Sequence, residues 1–125
     1  MKRPTLEDII MLHDEIVAQS GGSEGIRDIN LIDSAINSPF QSFGGFELYP
    51  TFEEKAAHLA YNLTMNHAFF DGNKRIGAAS LIFFLKINGK KLIATDQQII
   101  DLFLNLASKK IDCNDLLDWI KGHVS

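Results

Sequence analysis

The sequence predicts an all-α fold, a single domain of about six helices packed around a central buried helix at about residues 73–87. Three observations predict it. The run from Ile76 to Leu85 holds no charged residue, and the segment around it is apolar on nearly all sides, as in a helix enclosed by others. Elsewhere apolar residues recur three and four apart behind Thr, Asp or Asn at cap positions. No stretch alternates apolar and polar residues long enough to predict a strand, although Leu92-Ile93-Ala94 suits a short extended piece.

The elements follow in order. Thr5 caps a first helix with an apolar stripe at Leu6, Ile9, Ile10, Ile16 and Val17, stopped by Ser20-Gly21-Gly22. His13 lies near this stripe and reads as a partly buried histidine bonded to a neighbour. Residues 20–28 are glycine-rich and polar, hence a loop. Asp28 or Asn30 caps a second helix through Leu31, Ile32, Ala35 and Ile36, which Pro39 ends. Phe40 to Pro50 is an aromatic loop around Gly44-Gly45, either a cover for the core or an exposed docking surface. Thr51-Phe52-Glu53-Glu54 has the form of a capping box and opens a helix to about Asn66, with Phe52, Ala56, Leu59, Ala60 and Leu63 inward. Its alanines permit close approach to the central helix. That helix carries Ile76, Ala78, Ala79, Leu81, Ile82, Phe83, Phe84, Leu85 and Ile87. Gly89 supplies a left-handed cap, and Lys86, Lys90 and Lys91 suit the negative end of its dipole. Thr95-x-x-Gln98 is another capping box, with Ile99, Ile100, Phe103, Leu106 and Ala107 on one face. Asp112 or Asn114 caps the last helix, where Leu116, Leu117, Trp119 and Ile120 close the core.

A chain of 125 residues suffices for one core, so one domain over 1–125 is expected. Hydrophobic residues are 46% and charged residues 22%, which excludes a disordered chain. The formal net charge is −4, from 12 basic and 16 acidic residues, and nucleic-acid binders are usually basic, so no direct nucleic-acid partner is expected. Cys113 is the sole cysteine, which leaves no intramolecular disulfide and no cysteine-based zinc site. His58 and His67 lack the i, i+4 spacing of two zinc ligands on one helix. The run at 76–85 is too short to span a bilayer, and the N-terminus leads into acidic and polar residues. No membrane association and a cytoplasmic location are expected.

The chemistry is concentrated between His67 and Arg75. Gly72 permits a tight turn into the central helix near Asn73. The first amides of a helix lack backbone partners and carry the positive end of its dipole. Lys74 and Arg75 add charge at the same place, so Gly72, Asn73, Lys74 and Arg75 form a candidate phosphate site. Asp71 is a candidate Mg²⁺ ligand, since that ion usually takes one or two carboxylates plus phosphate oxygens. Asn73 can orient phosphate or acceptor by hydrogen bonds. His67 can accept a proton, because histidine exchanges protons near neutral pH. Phe69 reads as an inward anchor for the loop. The plain alternative is a polar helix start without a ligand, but gathering so many polar groups to no purpose costs stability.

His67-Ala68-Phe69-Phe70-Asp71-Gly72-Asn73-Lys74-Arg75 resembles the signature of the Fic/Doc family, His-x-Phe-x-Asp/Glu-Gly-Asn-Gly/Lys-Arg, at every fixed position. Ala68 stands where proline is common. Gly25-x-Arg27-Asp28-x-x-Leu31-x-x-Ser34-Ala35 also resembles the Doc, or death-on-curing, branch and widens the likeness to most of the chain. Arg27 either forms a structural ion pair or helps to shape the nucleotide pocket, with the structural reading favoured. Lys74 in place of glycine, and Ala78 where AMP-transferring members have a second arginine, place the likeness in the Doc branch.

The resemblance implies a Fic fold in which the 40–50 region is a flap that aligns the target. It implies a toxin of a toxin–antitoxin pair, a protein kinase using ATP and Mg²⁺. Its terminal phosphate would go to a threonine or serine of elongation factor Tu, arresting translation. His67, Asp71, Asn73 and Arg75 would be the catalytic residues. No inhibitory helix motif lies beside the loop, so inhibition is expected from a separate antitoxin chain. The alternatives are an AMP transferase on the same scaffold and an inactive module that only binds a partner.

Overall fold

The computed structural model describes residues 1–125 and is mostly helical. Helices α1 (Leu6–Ser20) and α2 (Ile29–Asn37) come first, and one turn of 3₁₀ helix (Ser38–Phe40) starts around Pro39. Strands β1 (Ser42–Phe43) and β2 (Phe46–Glu47) form a small hairpin. Helices α3 (Phe52–Met65), α4 (Asn73–Ile87), α5 (Asp96–Ala107) and α6 (Cys113–His123) complete the chain. No helix is long and apolar enough to cross a membrane.

Local chemistry sets the boundaries. Thr5, Thr95 and Asp112 close full capping boxes at α1, α5 and α6, and Asp28, not Asn30, caps α2. Thr51 makes half of the expected box. Its hydroxyl accepts from the Glu54 amide at 3.1 Å, but the Glu54 carboxylate accepts from that same hydroxyl at 3.0 Å and not from the Thr51 amide. At the end of α4, Gly89 takes φ +71° and the Lys90 amide reaches back to the Leu85 carbonyl. The extended piece expected at Leu92-Ile93-Ala94 pairs one residue earlier, over 91–93, with 123–125, where Leu92 bridges Val124.

α3 and α4 share the most extensive contact in the molecule. Gly77 makes their close approach possible. A methyl group there would collide with the Thr64 hydroxyl and lie 3.2 Å from the Ala60 carbonyl oxygen. Around this pair Leu59, Leu63, Ile76, Leu81, Leu106, Leu116 and Ile120 are fully buried. Phe84 stacks on Phe52 and meets Phe40 edge-on, which ties α4 to the start of α3 and the 3₁₀ turn.

Three sequence expectations change. The 42–47 hairpin is a pair of strands where none was expected; both are exposed on both faces, so no burial pattern marks them. α4 is not covered all round, since Ile82 is 43% exposed. On α5, Leu102 occupies the core position expected of Ile100, which is 58% exposed.

Candidate functional site

The loop 66–72 delivers the chain from α3 into α4, and the segment 20–28 holds it in place. His67 adopts φ +52°, a left-handed conformation that costs a non-glycine residue of order 1–3 kcal/mol unless its surroundings impose it. Arg27 imposes it. Its Nε donates to the His67 carbonyl at 2.6 Å and its Nη2 to the Asn66 carbonyl at 3.3 Å, while the Arg27 and Asp28 amides donate to Ala68 O. The structural reading of Arg27 is therefore the one realised, by way of carbonyls instead of a carboxylate. The His67 side chain is exposed and faces the pocket described below.

Phe69 is buried, as an inward anchor should be. The Asn73 amide grips its main chain from both sides. Nδ2 donates to the Phe69 carbonyl at 3.0 Å, and Oδ1 accepts from the Phe69 amide at 3.3 Å. The side chain expected to meet phosphate or acceptor thus closes the loop on itself. Beneath it, His13 of α1 is buried, with its ring stacked on Phe69 at 3.8 Å and its Nε2 at 2.7 Å from the Asp71 carbonyl oxygen.

Asp71 accepts from the Ser23 amide at 3.1 Å and from the Gly72 amide at 2.8 Å, and Arg75 Nη2 lies 4.0 Å away. The Ser23 hydrogen bond foremost, then the Gly72 hydrogen bond, hold its carboxyl below the usual carboxylate range. Asp71 is ionised at neutral pH, and this grip would be lost only as pH falls through that depressed value. Arg75 Nη1 donates to Ser20 Oγ at 2.8 Å and to the Gly21 carbonyl at 3.0 Å, so the end of α1 and the start of α4 share one guanidinium. Gly22 suits this approach, since its φ of +112° is strained for a residue with a side chain and a Cβ there would also lie 2.7 Å from Asp71 Oδ2 and 2.9 Å from Arg75 Nη2.

Gly72, at φ +81°, turns the chain into α4. Helices α1, α2, α3, α5 and α6 all start under a Thr or Asp side chain, but α4 has no side-chain cap. Its first backbone bond runs from Ile76 to Gly72, which leaves the amides of Asn73, Lys74 and Arg75 without acceptors. They open beside a pocket of about 560 Å³ lined by His67, Phe70, Asp71, Gly72, Asn73, Lys74 and Arg75, with Thr64 from α3, Leu104 and Ala107 from α5 and Ser108 just past its end. Lys74 is exposed at its edge. All the sequence-predicted site residues are thus brought together. The α5 wall and the grip of 20–28 on the loop were not expected, whereas His13 is buried and bonded as expected, its partner being the Asp71 carbonyl. The Gly-rich run after α1 and Arg27 were the sequence signals of that grip.

Asp71 is the sole carboxylate on the pocket wall. One ionised, hard-oxygen ligand beside an anion cradle suits an ion such as Mg²⁺, which takes most of its coordination from phosphate and water. The arrangement pairs an open histidine with a place for anionic oxygens, which is what group transfer from a phosphoanhydride to a hydroxyl requires.

The chain is similar in sequence to proteins of one known family. The model of the Fic/DOC family covers residues 3–85, from the start of α1 through most of α4. Toxin Doc of Mycolicibacterium smegmatis is 36% identical over 104 residues, 82% of this chain and 80% of that protein. Protein kinase doc of Escherichia phage P1 is 26% identical over 121 residues, 97% of this chain and 94% of its own.

Proposed function

The chain belongs to the Fic/DOC family, and on that premise we propose that it is a Doc-like toxin with phosphotransferase activity. It moves the γ-phosphate of ATP to a threonine or serine hydroxyl of a protein acceptor. The names of its relatives, a toxin and a protein kinase, support both halves of this reading. The observation that carries it is the uncapped start of α4, three free amides opening between His67 and the cations Lys74 and Arg75.

Each residue then has a task. The amides of Asn73, Lys74 and Arg75 receive phosphate oxygens at the positive end of the helix dipole. Lys74 and Arg75 offset the charge of the transferring group. Asp71 would hold Mg²⁺, which when bound neutralises phosphate charge. His67 takes the proton of the attacking hydroxyl. Asn73 acts through Phe69, keeping the loop closed. The acceptor that the family resemblance implies is elongation factor Tu, with arrest of translation as the consequence in the cytoplasm. The 42–47 hairpin, with Phe43 81% and Phe46 79% exposed, offers that acceptor a surface. A separate antitoxin holds the activity in check.

Expression of the wild-type chain in a bacterium should therefore stop growth, and co-expression of its antitoxin should restore it. Growth at the control rate, with soluble protein accumulating and no antitoxin present, would contradict the toxin reading.

A further inference from the structure

His13 is 1% exposed, lies outside the signature loop and has no place in the transfer scheme, yet it touches that loop twice. Its ring lies nearly parallel to Phe69, at 10° and 3.8 Å between centroids. Its Nε2 is 2.7 Å from the Asp71 carbonyl oxygen. A carbonyl oxygen can only accept, so the proton of this bond sits on Nε2.

The bonded carbonyl belongs to the peptide plane between Asp71 and Gly72. The other end of that plane, the Gly72 N–H, donates to Asp71 Oδ1 at 2.8 Å. One plane thus joins His13 to the carboxylate proposed as the Mg²⁺ ligand, and the residue after it starts α4. A plane next to glycine is inherently mobile, because glycine accepts both signs of φ. Rotation here would turn the Gly72 amide away from Asp71 and point a carbonyl oxygen into an anion site. His13 Nε2 lies 3.3 Å from where a Gly72 Cβ would stand, so the imidazole also fills the space beneath the turn.

From these contacts we propose that His13 is a positioning residue for the transfer reaction, a latch on the Asp71–Gly72 peptide plane that keeps the carboxylate and the α4 amides aimed into the pocket. It touches neither nucleotide nor acceptor. The proposal rests on the phosphotransferase reading for its kinetic consequence, but the state of the plane can be read without any reaction.

The test compares two variants. His13→Phe keeps a ring against Phe69 and removes the donor; His13→Gln keeps an N–H donor at similar reach and removes the ring. Amide spectra of the labelled proteins report the Gly72 N–H, and phosphate transfer from ATP gives kcat and KM. We expect the Gly72 resonance of His13→Phe to move or broaden while signals from α3 and α6 stay in place. Its kcat should fall on the order of 10–100-fold, the usual range for residues that orient a ligand-binding group. His13→Gln should recover most of that loss and keep the Gly72 signal. An unmoved Gly72 signal with full turnover in His13→Phe would overturn the latch, as would equal losses in both variants. If His13→Phe does not fold, His13→Gln decides alone. Near-full turnover with an unmoved Gly72 amide supports the donor role, and a large loss overturns it. A wild type that transfers no phosphate would sink the proposed function, while the Gly72 signal would still judge the latch.

Discussion

Replacement of His67 by alanine is expected to leave the fold intact and to abolish measurable phosphate transfer. The loss should be at least the roughly 10²–10⁴-fold that a positioned general base contributes. The ring is exposed and bonds to no other side chain, so no packing is lost with it. The left-handed backbone at this residue is held by Arg27 through carbonyls, which alanine retains. Helix content and the thermal midpoint should therefore stay close to those of the wild type, and growth arrest on expression should disappear. Circular dichroism and a transfer assay check both halves. Loss of soluble, helical protein would assign His67 a structural role, and undiminished transfer would remove it from the chemistry.

Arg75→Ala should weaken nucleotide binding and turnover together. The guanidinium stands between the end of α1 and the carboxylate of Asp71, bonded to Ser20 and Gly21 and 4.0 Å from Asp71 Oδ2. Removing it takes away the charge proposed to act on the transferring group and one of the ties that hold 20–28 over the loop. Loss of a single donor to developing charge costs about 10²–10³-fold in kcat elsewhere, and a similar fall is expected here. Arg75→Lys should restore little, because an ammonium cannot span Ser20 Oγ, the Gly21 carbonyl and a phosphate with one planar fork. Titration with ATP and steady-state kinetics check this. Unchanged affinity and rate in Arg75→Ala would remove the clamp role.

That the candidate site residues would lie together was legible because they are neighbours in sequence. His67, Asp71, Gly72, Asn73, Lys74 and Arg75 fall within one loop and one helix start, where a glycine turn and adjacent cations have a direct physical reading. Caps at Thr5 and Thr95 and the stop at Gly89 were legible for the same reason, while the choice of Asp112 over Asn114 was left to the structure. Contacts between distant segments were not. His13 and Asp71 are 58 positions apart, and nothing in the periodicity of α1 says that its histidine faces another segment's carbonyl. Lys55 shows the same limit. A lysine reads as surface, yet this one is 3% exposed, its ammonium donating to the Tyr49 carbonyl and pairing with Glu47 at 3.3 Å, which fastens the hairpin to α3. On α5 the apolar residues Ile99, Ile100, Leu102, Phe103, Leu104 and Leu106 cover too much of the helix for sequence to choose its buried face. The hairpin escaped notice because neither of its faces is buried.

The end of ATP that is transferred decides between phosphate transfer and AMP transfer. Amides, Lys74 and Arg75 form a cradle that could serve either end of the nucleotide, so the loop chemistry alone does not choose. Transfer of the γ-phosphate is proposed on the strength of Lys74 and Ala78, which stand where the family resemblance implies a glycine and a second arginine in AMP-transferring members. Purified protein, free of antitoxin, is incubated with bacterial extract and Mg²⁺, once with γ-labelled and once with α-labelled ATP. Label is expected on one protein near the size of elongation factor Tu from the γ-label alone. Transfer from the α-label would contradict that expectation and make the chain an AMP transferase, and no transfer from either would leave it a binding module.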